Sequence, residues 1–363
     1  MPLTLLDADA RDGWAAALGG SREAVRALLD GFDAQARAQA AAQLGPLGGP
    51  ALCALRALQD LLHRARGRRH GAELDRVAAL AGRAPAEVLL ANLAYEHGCS
   101  TFLRDGPGGP LHARNLDWPF PGGLLRRHGC VLRVHGAPAG GYAVVGWPGL
   151  LGALTAVAPG RFTVSVNYVR HRRGGLARLL ARAAGGALPV AWAVREALER
   201  SGSFADAVER LRAAPLLAPA LLALAGPRRG EAVVVERTPR GGALRRLEEG
   251  ALSVANHYEA AGLAGQCVDY DAGGSAARKA ILVRGLARAA PRDARAALWL
   301  LAPAVRPETQ QQAVMRAGDG LLVVRAPGER ARRIDLSPLG APRPPRRSPA
   351  GPRSRGRRRD GAR

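Results

Sequence analysis

Aromatic residues make up only 4% of the 363-residue chain, and there is a single lysine, Lys279, among 53 basic residues. So strong an arginine bias reads as the mark of a GC-rich coding sequence rather than of guanidinium chemistry. The four cysteines, Cys53, Cys99, Cys130 and Cys267, form no CxxC pair. This argues against a zinc ribbon or a thioredoxin-type site, and no disulfide framework is implied. No uninterrupted apolar run reaches the roughly 18 residues needed to cross a bilayer. Met1 to Gly20 carry Asp7, Asp9, Arg11 and Asp12 where a signal peptide would have a basic start and an apolar core. The expectation is a cytoplasmic protein with reduced thiols.

What is present begins with charge. The formal net charge of +23 suggests a nucleic-acid partner. Its distribution weakens that suggestion, because residues 341–363 hold nine Arg and one Asp and leave about +15 on the remainder. This segment is rich in Pro, Gly and Ser and is expected to be a disordered, solvated tail.

Periodicity divides the rest. Residues 1–98 read as helical. One helix opens at Ser21 with Val25, Leu28, Leu29 and Phe32 on a single face, and others cover about 50–66, 73–80 and the stretch after Pro85. From Cys99 the pattern changes to short strand-like segments at 100–104, 112–115, 130–135, 142–145 and 161–167. Helices return at 175–184, 189–201 and 203–213. Strands follow at 231–237, 243–248 and 251–256, then a helix at 275–290 and strands at 312–317 and 320–326. Leu216–Leu222 reads as a buried helix or a lipid-facing rim. Strands on either side of a helical block, without βαβ alternation, indicate an α+β fold, and a β-sandwich covered by helices fits the order.

The chemistry concentrates at Cys99. The run Cys99-Ser100-Thr101-Phe102-Leu103-Arg104-Asp105 is followed by a Gly/Pro turn and by His112-Ala113-Arg114-Asn115-Leu116-Asp117-Trp118. A cysteine at a chain N-terminus carries a nucleophile and a base on one residue, because the α-amine titrates near 7.7–8.0 and the thiol near 8.5. Arg114 would favour the thiolate, and Asp117 would hold the α-ammonium. Gly98 leaves the Gly98–Cys99 bond open to attack by the thiol, which would make residues 1–98 a separate subunit. Asn167 and Asn256 end strand-like runs, where a side-chain amide can donate to an oxyanion. Ser275 and Arg278 follow on the next helix. His112 and His257 invite a Cys–His dyad reading, although an N-terminal nucleophile needs no histidine. Cys53, Cys130 and Cys267 read as buried structural thiols, and His70, His128 and His171 as surface residues.

These motifs resemble the N-terminal-nucleophile cysteine amidases of the choloylglycine hydrolase-like group, in particular the acid ceramidase and N-acylethanolamine acid amidase branch. The resemblance rests on Cys99-Ser100-Thr101 followed by Arg114-Asn115-Leu116-Asp117-Trp118, on Asn92-Leu93-Ala94-Tyr95-Glu96 before them, and on Val254-Ala255-Asn256-His257-Tyr258. It covers residues 20–326. It implies a four-layer αββα sandwich (Ntn hydrolase) of residues 99–340, preceded by a helical propeptide, 1–98, retained as an α-subunit. It also implies Cys99 as nucleophile, Arg114 and Asp117 as its polar partners, Asn256 in the oxyanion hole, and Asn167 and Arg278 as further active-site residues.

The implied reaction is hydrolysis of the linear amide bond of an N-acyl, lipid-like substrate, with no metal or organic cofactor. The apolar helices also offer a weak contact to a membrane surface. Two alternatives remain at this level. His97-Gly98-Cys99 resembles the self-cleaving acyl-coenzyme A:penicillin acyltransferases, which would pass the acyl group to an amine. A non-enzymatic protein would instead use its basic surface on RNA or anionic membranes.

Overall fold

The computed structural model describes residues 3–65, 70–93, 98–170, 181–182, 185–238, 241–267 and 274–340, with the side chains of 57–65 set aside. The readings made for residues 341–363, Tyr95, His97, His171 and most of the 175–184 helix lie outside these residues.

Two sheets form the centre. The larger has eight strands, β1 (Thr4–Asp9), β4 (Cys130–His135), β5 (Tyr142–Gly146), β6 (Thr155–Ala158), β7 (Phe162–Tyr168), β8 (Ala220–Ala225), β9 (Ala232–Arg237) and β10 (Gly242–Arg246), side by side in that order. The smaller runs β11 (Ala251–Val254), β2 (Cys99–Arg104), β3 (Leu111–Asp117), β12 (Thr309–Arg316), β13 (Leu321–Arg325) and β14 (Arg332–Arg333).

Helices α1 (Arg22–Leu44), α2 (Gly48–Ala65), α3 (Gly71–Ala81) and α4 (Pro85–Leu93) precede β2, and the single-turn α5 (Leu124–Arg127) follows β3. Helices α6 (Val190–Arg200) and α7 (Phe204–Ala213) pack on the outer face of the large sheet, against β7, β8 and β9. Helices α8 (Ser275–Arg288) and α9 (Ala294–Leu301) cover the small sheet, against β2, β3, β11 and β12. The expected α-β-β-α layering is therefore present. Ser203 and Asp293 cap α7 and α9 by accepting from the N–H groups of Asp206 at 3.1 Å and Ala296 at 2.8 Å. Among the described residues no helix is long and apolar enough to cross a membrane.

The space between the sheets is not uniformly apolar. Leu103, Leu221, Ala223 and Val234 form one buried cluster, and Val131, Val145, Met315 and Val324 another. Between them runs a polar seam. The His112 ring bridges the hydroxyls of Thr163 and Ser165 at 2.9 and 2.8 Å, and Thr101 Oγ1 donates to Asn167 Oδ1 at 2.9 Å. Alternation along β2, β3 and β7 aims these side chains inward, while Phe102 and Ala113 point to the helices outside.

The N-terminal helices are tied to the large sheet's helical layer by a buried ion pair. Arg195 Nη2 lies 2.6 Å from Glu73 Oε1, and Glu73 Oε2 accepts from Trp14 N–H at 2.7 Å. The Arg195 guanidinium also stacks over Trp14 and donates to Glu199 and Leu151. Burial alone would raise Glu73, but His70, Arg195 and the Trp14 N–H together hold it at about 2. Asn92 adds a second tie, accepting from Leu151 N–H at 2.7 Å and donating to Gly149 O at 3.0 Å.

Several sequence readings need correction. The first 98 residues are not all helical, because Thr4–Asp9 pair in parallel with β4 as an edge strand of the large sheet. The stretch Leu216–Leu222 is neither helix nor rim. Its second half enters β8, whose residues are buried on both faces, so the alternation that marks a strand is absent. Strand β6 and helix α9 had no expectation. His70 is buried, edge-on to Trp192, whereas Cys53 is exposed and Cys267 only half-buried.

Candidate active site

Antiparallel pairing of β2 with β3 sets Cys99 opposite Leu116 and carries the ladder one step beyond the strand, where Asp117 N–H donates to Gly98 O at 2.9 Å. Cys99 Sγ points between the sheets. Arg114, two residues from Leu116 and on the same face, reaches it with Nη2 at 2.9 Å. The other arm of that guanidinium is fixed, with Nη1 donating to Leu154 O at 2.5 Å and to Thr155 Oγ1 at 2.9 Å. Burial pushes the thiol up, and the Arg114 charge pulls against it.

Asn256 closes the other side. Its Oδ1 accepts from Cys99 N at 2.8 Å and from Arg278 Nη2 at 2.6 Å, while its Nδ2 donates to Tyr168 O at 2.8 Å. Ser275 Oγ accepts from Asn256 N–H at 2.8 Å and contacts His257 Nδ1 at 2.6 Å. The first turn of α8 thus orients both Asn256 and Arg278. The amide of Asn256 turns its oxygen to Cys99 N. The oxyanion role implied by the resemblance would call on Nδ2, which here is directed at Tyr168 O.

Asp117 does not pair with Arg114. Its Oδ1 accepts from Thr309 Oγ1 at 2.6 Å. Oδ2 accepts no hydrogen bond and lies 3.8 Å from Arg278 Nε. Burial raises this carboxyl to about 6 against the partial opposition of Thr309 and Arg278.

Five of the six residues singled out in the sequence, Cys99, Arg114, Asp117, Asn256 and Arg278, form one connected cluster. Asn167 stands behind it. Its amide is taken up by Thr101 and by Ala255 O at 2.9 Å, so it positions the strand end that carries Asn256 rather than meeting Cys99. The histidines are elsewhere. His112 is held neutral at about 3, by burial first and then by Arg114, within the polar seam, and His257 turns to Ser275, which removes the Cys–His dyad.

Sequence reasoning missed Thr309, Thr155 and the Tyr168 carbonyl, which come from distant segments and carry no local signal. It also missed the aromatic group beside Asp117. There Phe32 of α1 packs edge-on against Trp118 and Phe120, at centroid distances of 5.6 and 4.6 Å.

The chain is similar to curated proteins over less than half its length. The N-acylethanolamine-hydrolyzing acid amidase of Cavia porcellus is 35% identical over 162 residues, which is 43% of this chain and 44% of that protein. The acid ceramidase of Balaenoptera acutorostrata scammoni is 28% identical over 182 residues, 46% of each. Matches of this kind thus span under half the length of the relatives. Among solved structures, the Caenorhabditis elegans ortholog of N-acylethanolamine-hydrolyzing acid amidase is 21% identical with a TM-score of 0.49, covering 61% of this chain and 93% of that one. No family model matches.

Proposed function

We infer, from this kinship with acid amidases and from the geometry at Cys99, that the chain is a self-cleaving amidohydrolase of N-acyl, lipid-like substrates. The observation that carries the reading is the state of the Gly98–Cys99 bond. Its carbonyl oxygen accepts a hydrogen bond from Asp117 N–H, and the neighbouring thiol is bound by a guanidinium. A hydrogen-bond donor already on the carbonyl stabilises negative charge as the carbon becomes tetrahedral.

In the first reaction Cys99 Sγ attacks the Gly98 carbonyl carbon and forms a thioester. The C–N bond breaks, and the thiol proton ends on the departing amine. Water then releases the Gly98 carboxylate and restores the thiol. The new α-amine stays beside Asn256 Oδ1, which already accepts from that nitrogen, and Asp117 is the carboxylate of the cluster that would balance its charge. In turnover the same thiol attacks the acyl amide of the substrate, its proton leaves with the amine product, and water clears the acyl thioester. Arg114 favours the thiolate throughout. Arg278 and the Asp117 N–H, which flank Gly98, supply donors where the substrate oxygen would lie.

On this reading residues 1–98 and 99–340 are the two subunits of the mature enzyme, and residues 341–363 are an appendage. Strand β1 and the Glu73–Arg195 pair keep the first fragment in place.

The test is intact-mass analysis and N-terminal sequencing of purified protein at pH 5 and pH 7.5, followed by release of free acid from an N-acylethanolamine. A fragment beginning Cys-Ser-Thr-Phe together with free acid is the expected result. A chain that stays whole at both pH values and releases nothing overturns it. Adding an amine acceptor separates the alternatives, since N-acyl transfer in place of free acid marks an acyltransferase.

A further inference from the structure

The one lysine of the chain, Lys279, directly follows Arg278 in α8, and its ammonium meets the carboxylate of Glu259, three residues after Asn256. Glu259 also lies 3.1 Å from Arg245 Nη2 of β10. Arg245 Nε in turn donates to Glu236 Oε1 of β9 at 2.6 Å. The Glu236 side chain is fully buried, and those of Arg245, Glu259 and Lys279 are only 15, 16 and 25% exposed, so this is no surface pairing. Two carboxylates and two cations form a quartet without net charge, as burial of charge requires.

The quartet grips backbone as well as charge. Glu236 Oε2 accepts from Glu259 N–H and Ala260 N–H, both at 3.0 Å, and Tyr258 Oη donates to Arg237 O at 2.7 Å. These bonds fasten the turn after β11 to β9, although β11 belongs to the small sheet and β9 to the large one. Arg245 Nη2 donates to Ser253 O at 3.2 Å, which fastens β11 itself. Asn256 already meets Arg278 and Ser275 of α8. The contact of Glu259 with Lys279 adds a further joint between the same two segments. An added joint narrows the orientations the segments can take, and a misplacement of about 1 Å at a reacting centre costs about a hundredfold in rate.

We propose that Glu259 and Lys279, anchored by Glu236 and Arg245, are positioning residues whose ion pair sets Asn256 and Arg278 in place against Cys99. The proposal rests on the function inferred above. A pair that served stability alone would leave the rate of the folded protein unchanged. This one lowers the rate when broken and leaves the affinity for substrate as it was.

The experiment compares the full wild-type chain with Lys279→Met, Lys279→Arg, Glu259→Gln and the double variant Lys279→Met, Glu259→Gln. The readouts are hydrolysis of an N-acylethanolamine and hydrogen exchange followed by mass spectrometry. Lys279→Met is expected to lower kcat roughly tenfold with KM within about twofold, because lost orientation costs rate rather than binding. Lys279→Arg keeps the charge and should recover most of that kcat. The double variant should fall no further than either single variant, since both remove one interaction. Exchange over residues 256–260 should quicken at least roughly tenfold in Lys279→Met, while that of α6 stays as in the wild type. An unchanged kcat in Lys279→Met, a loss carried by KM, no recovery with arginine, or additive losses overturns the positioning role. Unchanged exchange over 256–260 overturns the joint itself. A wild type that neither cuts itself nor releases acid overturns the function inferred above, and the exchange result then still decides whether the joint exists.

Discussion

Glu73 and Asp117 are both buried carboxylates that face an arginine on a neighbouring helix, yet they are left in opposite states. Glu73 meets Arg195 at 2.6 Å and fills its second oxygen with a backbone N–H, and it titrates at about 2. Asp117 stands 3.8 Å from Arg278 with one oxygen unfilled, and it titrates at about 6. The first pair is closed, so its interactions more than offset the cost of burying the charge. The second is held open in the cluster around the Cys99 thiol, and burial wins. On the function proposed above, the difference separates a joint that holds two parts of the chain together from a group that would meet a new charge, the ammonium of a freshly cut Cys99.

The comparison can be broken most completely by removing the proposed nucleophile. Cys99→Ala leaves both carboxylates in place, and intact-mass analysis is expected to show no cut chain, with no free acid released from an N-acyl amide.

Next in size is Glu73→Gln, which takes from Arg195 one of its two carboxylates and leaves it Glu199. A loss of about 3 kcal/mol in denaturant unfolding at neutral pH is expected, while the rate of self-cleavage stays within a few-fold wherever the variant is folded. The wild-type contribution of Glu73 is present above its ordinary value of 4.5. It is lost as pH falls towards about 2, and amounts to about 3 kcal/mol.

Asp117→Asn should act with the opposite sign. The folded state holds this carboxyl at about 6, above its ordinary 3.8, so it binds more protons than the unfolded chain between those values. Stability therefore falls as pH rises from about 4 to 6. The neutral amide removes that cost, and thermal unfolding at pH 7.5 should show a gain of roughly 1–3 kcal/mol, vanishing near pH 4. A variant less stable than wild type at pH 7.5 would mean that Asp117 is as closed a pair as Glu73.

The smallest effect is expected from Gly98→Ala. An added Cβ would meet Asp117 and Arg278 at 3.4–3.6 Å, ordinary contact distances. Stability should stay within about 0.5 kcal/mol, and the mass spectrum should still contain the cut chain.

How far the sequence could be read follows from the range of each signal. Strands β2, β3 and β4 were legible because apolar residues, Gly and Pro punctuate them locally, and Cys99, Arg114 and Asp117 lie within one hairpin. Strand β1 was not, since Thr4–Asp9 carries two aspartates and is a strand only because β4 offers it an edge. Strand β8 was misread because Ala and Leu fill both faces of a central strand as they would a buried helix. In the site, Asn256 and Arg278 could be named, but not that Ser275 and Tyr168 would turn the amide, or that Thr309 would reach Asp117 across 192 positions. Those contacts are products of the packed sheets and exist nowhere along the chain.

If the chain cuts itself as proposed, the parallel edge strand also sets the order of events. Thr4–Asp9 belong to the segment before Cys99 yet complete a sheet built from the segment after it. A cut at Gly98–Cys99 would leave that strand woven into a sheet it is no longer joined to by a peptide bond. Folding must then come first and scission second, while the two halves are still one chain. Once unfolded, the severed halves would meet only as separate molecules. The mature form would persist through the slowness of its unraveling rather than through any ready path back.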